Sequence, residues 1–313
     1  MVGRPGTLQH EQASATLSAV NGRVLLWAAR GAWLAVAVIG GSAVGDALSA
    51  RDRPVQIVGT IAAWLGWAGA AGALAWTSTV TLTVARATVP ASLVVVGVAL
   101  AGDVSATAAV ALATPAVVAT ALVMSAEVGR MFIQASAYGD EERFGLRPPL
   151  GYLVPTVGSW LVVVIAAVVA PLAWAGQAWV LGAIATAEAG AGLWVLPRRW
   201  HQLSRRWLVL VPAGFVIHDP VVLADTFMAG RRTVGSLALD ANGLARSWSA
   251  DLTGPTPGPA LEVRFTEPVT AVLAARPHHP EGTAIHLEGL VVAPTRPGAV
   301  LTAAARRHIG NSV

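Results

Sequence analysis

The sequence predicts an α-helical integral membrane bundle of six transmembrane helices followed by a small, mainly-β cytoplasmic domain. Three observations carry this reading. The 313 residues are 55% hydrophobic and only 12% charged, whereas a soluble domain has about 25% charged residues; an ordinary soluble protein and a disordered one are both excluded. Six windows are long and apolar enough to cross ~30 Å of hydrocarbon at ~1.5 Å per residue. After Pro197 the pattern changes to short β-prone runs separated by turn residues, and from residue 201 onward lie 10 of the 21 arginines and 8 of the 17 acidic residues.

The six windows are Gly31–Leu48, Val55–Trp76, Val84–Ala101, Val104–Val123, Tyr152–Trp174 and Gln177–Pro197. They must be helices, because in hydrocarbon each backbone amide has to be satisfied inside its own segment. The first and third are the weakest, with Arg30 and Arg86 at or inside their ends. With a cytoplasmic N-terminus, eleven arginines of the short connections and flanks lie inside and only Arg51 and Arg53 outside, as the positive-inside bias requires. Both termini are therefore expected in the cytoplasm, with the chain in the plasma membrane. No signal peptide is expected, since about 23 mostly polar residues precede the first apolar stretch. Most tryptophans fall near window ends, where indole rings suit the headgroup boundary.

The domains expected are a cytoplasmic segment 1–30, the bundle 31–197 and a β-rich domain 198–313. The long connection 125–150 divides the bundle into four helices plus two. It contains a helix-compatible stretch, Glu127–Ala137, an acidic cluster, Asp140-Glu141-Glu142, and a stop at Pro148-Pro149, which punctuates the start of the fifth span. In the tail, Trp207–Val211 and Phe215–His218 read as a hairpin across Pro212-Ala213-Gly214. Further strands are expected at Leu223–Met228, Thr233–Leu239, Ala245–Ser249, Leu261–Thr266 and Ala284–Val292. A closing helix is expected over Pro297–His308, with Pro297 near its start and Arg306-Arg307 at its carboxyl end.

The final stretch, Leu287-Glu288-Gly289-Leu290-Val291-Val292-Ala293-Pro294-Thr295-Arg296-Pro297-Gly298 followed by a helix, resembles the last strand and closing helix of bacterial PH-like domains. That resemblance implies an antiparallel sheet bent into a partly open barrel and plugged by the helix. The whole chain also resembles a group of uncharacterised actinobacterial multi-pass membrane proteins. The residues that carry it are Ala137-Tyr138-Gly139-Asp140-Glu141, Leu146-Arg147-Pro148-Pro149, Arg206-Trp207, Val211-Pro212-Ala213-Gly214 and His218-Asp219. It implies the topology and no activity.

No catalytic set is visible. There is no cysteine and no lysine, which excludes thiolate chemistry and a P-loop. Neither His-Glu-x-x-His nor Gly-x-Ser-x-Gly occurs. His278-His279, Glu281 and His286 match no established metal spacing and read as a solvated loop. No cofactor and no metal are expected, and no nucleic acid, because the arginines are read as flanking the membrane windows rather than forming a nucleic-acid groove.

Four features remain to be read. Arg198, Arg199, Trp200, Arg205, Arg206 and Trp207 form a juxtamembrane basic–aromatic patch, readable as a topogenic signal and as a lipid-surface contact. Glu188 falls near the middle of the sixth window and should face the bundle or a wet cavity, ordering helix packing or lining an ion pathway. Asp46 and Arg86 are read as snorkelling to the interface. Small residues, Gly41/Gly45, Gly66/Gly69/Gly72 and Gly182/Thr186/Gly190, give close-approach faces for packing within the chain or for homo-oligomers. The expected function is that of a non-enzymatic adaptor or regulatory protein whose PH-like domain binds a protein partner or lipid headgroups. The alternative is a small-solute or ion transporter with Glu188 in the path.

Overall fold

The computed structural model describes residues 5–101, 104–240, 249–274 and 282–310. It contains six helices or helix pairs long and apolar enough to cross a membrane: Asn21–Ser49, Arg53–Ala75, Thr79–Leu100, Ala106–Met124, Leu150–Ala175 and Trp179–Ser204. Each matches one of the six windows.

The two weak windows are the two broken ones. The first consists of α1 (Pro5–Val38) and α2 (Gly41–Ser49), which meet at Ile39-Gly40. A Cβ at Gly40 would lie 2.9 Å from Leu112 Cα and 2.7 Å from Val36 O, so only glycine lets the chain turn against its neighbour. After α3 (Arg53–Ala75), the third span consists of α4 (Thr79–Thr88) and α5 (Ala91–Leu100). Pro90 sits at that junction, where it has no amide hydrogen to continue the ladder. Ser78 and Thr81 form a capping box at the start of α4, and the Ser105 hydroxyl caps α6 (Ala106–Met124).

The arginines that weaken these windows act at the carboxyl ends of neighbouring helices. Arg30 donates to Leu74 O and Ala75 O at the end of α3, at 2.9 and 3.1 Å. The Arg86 Nε reaches toward Val123 O at the end of α6, at 3.5 Å. Both place a cation where orphan carbonyls concentrate negative potential. Arg86 is half-buried, so its expected snorkelling gives way to this contact, whereas Asp46 is exposed.

Some tryptophans also leave their expected boundary role. Trp33 Nε1 donates to Trp67 O and Trp67 Nε1 to Trp33 O, both at 3.0 Å, which ties α1 to α3. Trp160, on α8 (Leu150–Ala175), donates to Ala87 O at 2.8 Å. Trp27, Trp76, Trp179 and Trp194 are exposed. The Trp174 indole donates to Thr186 Oγ1 across the turn into α9 (Trp179–Ser204), at 2.8 Å. A Cβ at Gly182 would touch the Trp174 ring at 3.0 Å, so Gly182 and Thr186 serve packing within the α8–α9 pair.

The chain divides into two compact units, one made mainly of Gly22–Phe132 and Pro155–His201, the other mainly of Ile133–Val154 and Gln202–Val313. The second is mostly β and has two four-stranded sheets. In the first sheet the order is β1 (Glu142–Gly145), β2 (Trp207–Val211), β3 (Gly214–His218), β4 (Phe227–Gly230), all antiparallel. In the second it is β5 (Val234–Asp240), β7 (Ala260–Leu273), β8 (Thr283–Val292), β6 (Ser249–Asp251), with β6 parallel to β8. The short helix α7 (Ala126–Gln134) precedes β1, and α10 (Pro297–Arg306) closes the chain.

The expected hairpin forms with Val211 opposite Gly214, leaving Pro212-Ala213 as a two-residue turn. Leu223 makes only an isolated bridge to Leu273, and the strand expected at Leu223–Met228 begins at Phe227. The strand Leu261–Thr266 extends to Leu273 through an irregularity around Pro268. The strand expected at Ala245–Ser249 lies outside the described residues except for Ser249. The parallel β6–β8 pair departs from the all-antiparallel sheet that the PH-like resemblance implies.

The main correction concerns the 125–150 connection. From Ile133 onward it is not a free loop of the bundle but part of the β unit. Glu142–Gly145 pairs along its whole length with β2. Immediately after it, Arg147 N donates to Ala293 O and Thr295 N to Gly145 O, at 2.8 Å each, so the same segment meets the end of the second sheet. Phe144 enters a core with Leu208, Leu210, Phe215, Ile217, Leu290 and Val300. The acidic cluster also has a role: Arg306 bonds Glu142 at 3.0 Å, and Arg307 bonds Asp140 at 2.8 Å. As expected, Pro148-Pro149 precedes α8, whose first amides bond back to Pro149 O.

Candidate functional site

Within the β unit, a cationic–aromatic cluster forms on the first sheet. Trp207 and His218 are register partners across the β2–β3 hairpin, so their rings face one another, stacked with centroids 5.0 Å apart. Arg143, on β1, places its guanidinium 5.3 Å from the centre of the Trp207 ring. Arg205, just before β2, brings Nη2 to 3.4 Å from His218 Nε2. An arginine only donates, so Nε2 accepts and the neutral ring carries its proton on Nδ1, 3.1 Å from Thr226 Oγ1.

The electrostatics agree with a neutral ring. Partial burial, with the nearby Arg205 and Arg143 guanidiniums, pushes the His218 imidazole below its ordinary value against the opposing pull of Asp219. The carboxylates beside the cluster are already engaged. Glu141 holds Arg143 at 2.6 Å and accepts from Tyr138 N, and Asp219 is the partner of Arg206. Arg205 is exposed, so its remaining donors face outward next to two flat rings. Such an arrangement suits an anionic oxygen ligand presented at a surface.

The predicted site residues fare differently. Arg198 and Arg199 are exposed near the end of α9, and Trp200 is half-buried there. Arg205 is exposed and Trp207 half-buried, as a surface patch requires. Arg206 must be removed from that patch. It is 2% exposed, and its Nε and Nη2 grip both carboxylate oxygens of Asp219 at 2.7 and 2.6 Å. Its Nη1 donates to Arg147 O at 2.6 Å, which ties the inter-span segment to the tail. Arg206 is a structural clamp because adjacent positions on an extended chain point to opposite sides.

Glu188 also departs from expectation. It lies on an exposed face of α9 rather than toward the bundle, with the exposed Ile184 one turn before it. The helical unit has a partly open cavity of about 670 Å³, and Glu188 is not among the residues lining it. Of the histidine cluster, His278, His279 and Glu281 lie outside the described residues, and His286 contacts Thr270 Oγ1 at 3.0 Å. No group of three or more metal-ligating side chains occurs among the described residues.

Arg143 and His218 are the members that sequence reasoning missed as site residues. The alternation Glu142-Arg143-Phe144-Gly145, with one buried aromatic between polar neighbours, was the readable signal. Comparison with known proteins found no matching family model, no matching curated protein and no matching solved structure.

Proposed function

We propose that this chain is a non-enzymatic, multi-pass plasma-membrane protein, an adaptor or regulatory protein whose β domain reads anionic lipid headgroups of the cytoplasmic leaflet. The observation that carries the reading is the pairing of β1 with β2. The domain is thereby built from two segments, one ending five residues before α8 and the other beginning three residues after α9. A domain tethered at both places stays next to the bilayer, with Arg205, Trp207, His218 and Arg143 on one of its sheets. Each arginine near an anionic leaflet contributes about 1 kcal/mol, decaying within a Debye length. Both termini lie in the cytoplasm on the arginine bias. The transport alternative draws no support from Glu188, which is exposed and away from the cavity.

The test is hydrogen exchange of the 207–218 hairpin in full-length protein reconstituted in nanodiscs. Zwitterionic phosphatidylcholine discs are compared with discs in which about a third of the lipid is phosphatidylglycerol. Headgroup docking slows exchange in the anionic discs, and Arg205→Gln or high salt removes the difference. Equal exchange in both lipids refutes the docking and leaves a protein partner as the domain's occupant.

A further inference from the structure

We propose that the helical unit binds one long alkyl chain carrying a hydrogen-bond-accepting oxygen, the chemistry of a lipid acyl group, in the cavity bordered by α2, α3, α5 and α8. The cavity's volume of about 670 Å³ falls in the range of ligand sites, roughly 300–1,000 Å³. Its wall contains no Asp, Glu, Arg or His, so nothing there compensates an ion or a strongly polar solute for lost water. Water itself needs two to four polar partners in such a place; the wall hydroxyls are those of Ser42, Thr60, Thr88 and Ser92, and the last two already donate to carbonyls of their own helix, at 2.8 and 2.6 Å.

The space exists because small residues leave it. A Cβ built on Gly41, Gly45 or Gly66 meets nothing within 4 Å. These glycines do not bring helices together, as their spacing suggests; they form part of the wall. The indoles of Trp33, Trp67 and Trp160, which also line the cavity, are satisfied by backbone carbonyls. Trp64, a fourth wall indole, is exposed, whereas the Nε1 of Trp200 is buried and has no hydrogen-bond partner. A mostly apolar cavity with a buried, unsatisfied indole donor fits an alkyl chain bearing a carbonyl or carboxyl oxygen.

Two sources supply that chemistry, a phospholipid and a free fatty acid, and the experiment separates them. Full-length protein in nanodiscs is photolabelled with a diazirine-chain phosphatidylglycerol or with a diazirine palmitic acid, and the adducts are mapped by mass spectrometry. The expected result is labelling of residues 41–48, 59–67 and 160–168 that saturates at one adduct per chain with at least one probe, whichever it is being the source. Gly45→Leu with Gly66→Leu fills the space and should lower that labelling at least tenfold, while labelling of exposed Val180 and Ile184 on α9 stays constant. Trp200→Phe should weaken it about threefold for the oxygen-bearing probes and leave a diazirine alkane unaffected. Labelling that rises without saturation in the wild-type protein overturns the proposal. So does labelling that survives the leucine pair relative to α9, or no adduct at these segments with either probe.

Discussion

Replacing Asp219 with alanine leaves the Arg206 guanidinium in the protein interior with its charge and no anion. Both side chains of this pair are 1% exposed. Two short bonds, 2.7 and 2.6 Å, are lost together, and the Val221 amide loses the carboxylate oxygen it reaches at 3.1 Å. Removing one partner of a buried ion pair costs about 3–5 kcal/mol, which is roughly a hundredfold to a few thousandfold in the folding equilibrium. Because Arg206 also donates to Arg147 O, the loss should spread to β1. The assay is amide exchange of β1, β2 and β3 in the full-length protein in detergent, which reports opening free energies segment by segment. The paired replacement Arg206→Met with Asp219→Leu removes both charges and should recover most of the lost protection. A loss below about 1 kcal/mol for Asp219→Ala, or a paired variant no better than the single one, refutes the clamp.

Three further outcomes follow from the geometry. His218 is held below the 6.5 of a free imidazole, so the folded domain binds fewer protons than the unfolded chain below that pH. Stability should be flat above neutrality and fall as pH drops through 6.5 toward the folded value, and His218→Gln should flatten that slope in urea titrations at stepped pH. Gly254 has φ +63° and a built Cβ would sit 2.9 Å from Pro149 Cγ; Gly254→Ala should destabilise the β domain by about 1–2 kcal/mol, read as a lower urea midpoint. Trp33→Phe removes one of the two reciprocal indole–carbonyl bonds and should lower the detergent-solubilised helical unit's thermal midpoint by an amount near 1 kcal/mol of stability; an unchanged midpoint would show that the pair contributes nothing.

The parts of the fold legible in the sequence are those set by local runs. A long apolar stretch with few charges is a local property, and all six candidate membrane helices were found that way. The hairpin at Pro212-Ala213 and the strand at Ala284–Val292 were legible for the same reason. Pairing between distant segments was not. Glu142–Gly145 has four residues and no partner nearby; what makes it a strand is Trp207–Val211, far along the chain. Arg206 illustrates a second limit. Four arginines around a span end read as one patch, but only the strand register shows which of them turns inward toward Asp219. Glu188 illustrates a third: a helix apolar on nearly all sides carries no phase, so its place along the window was readable and the direction it faces was not.

The loop-and-tail domain requires residues 142–145 and 207–211 to lie on one side of the bilayer, and the arginine bias predicts that this side is the cytosol. The chain has no cysteine, so single reporters can be introduced at exposed positions: Arg51→Cys, Ser136→Cys and Met228→Cys. A membrane-impermeant maleimide applied to sealed cells should label the residue 51 variant and spare the other two until the membrane is permeabilised. Labelling of the 136 or the 228 variant in sealed cells would contradict the cytoplasmic assignment, and labelling of only one of that pair would contradict the shared domain itself.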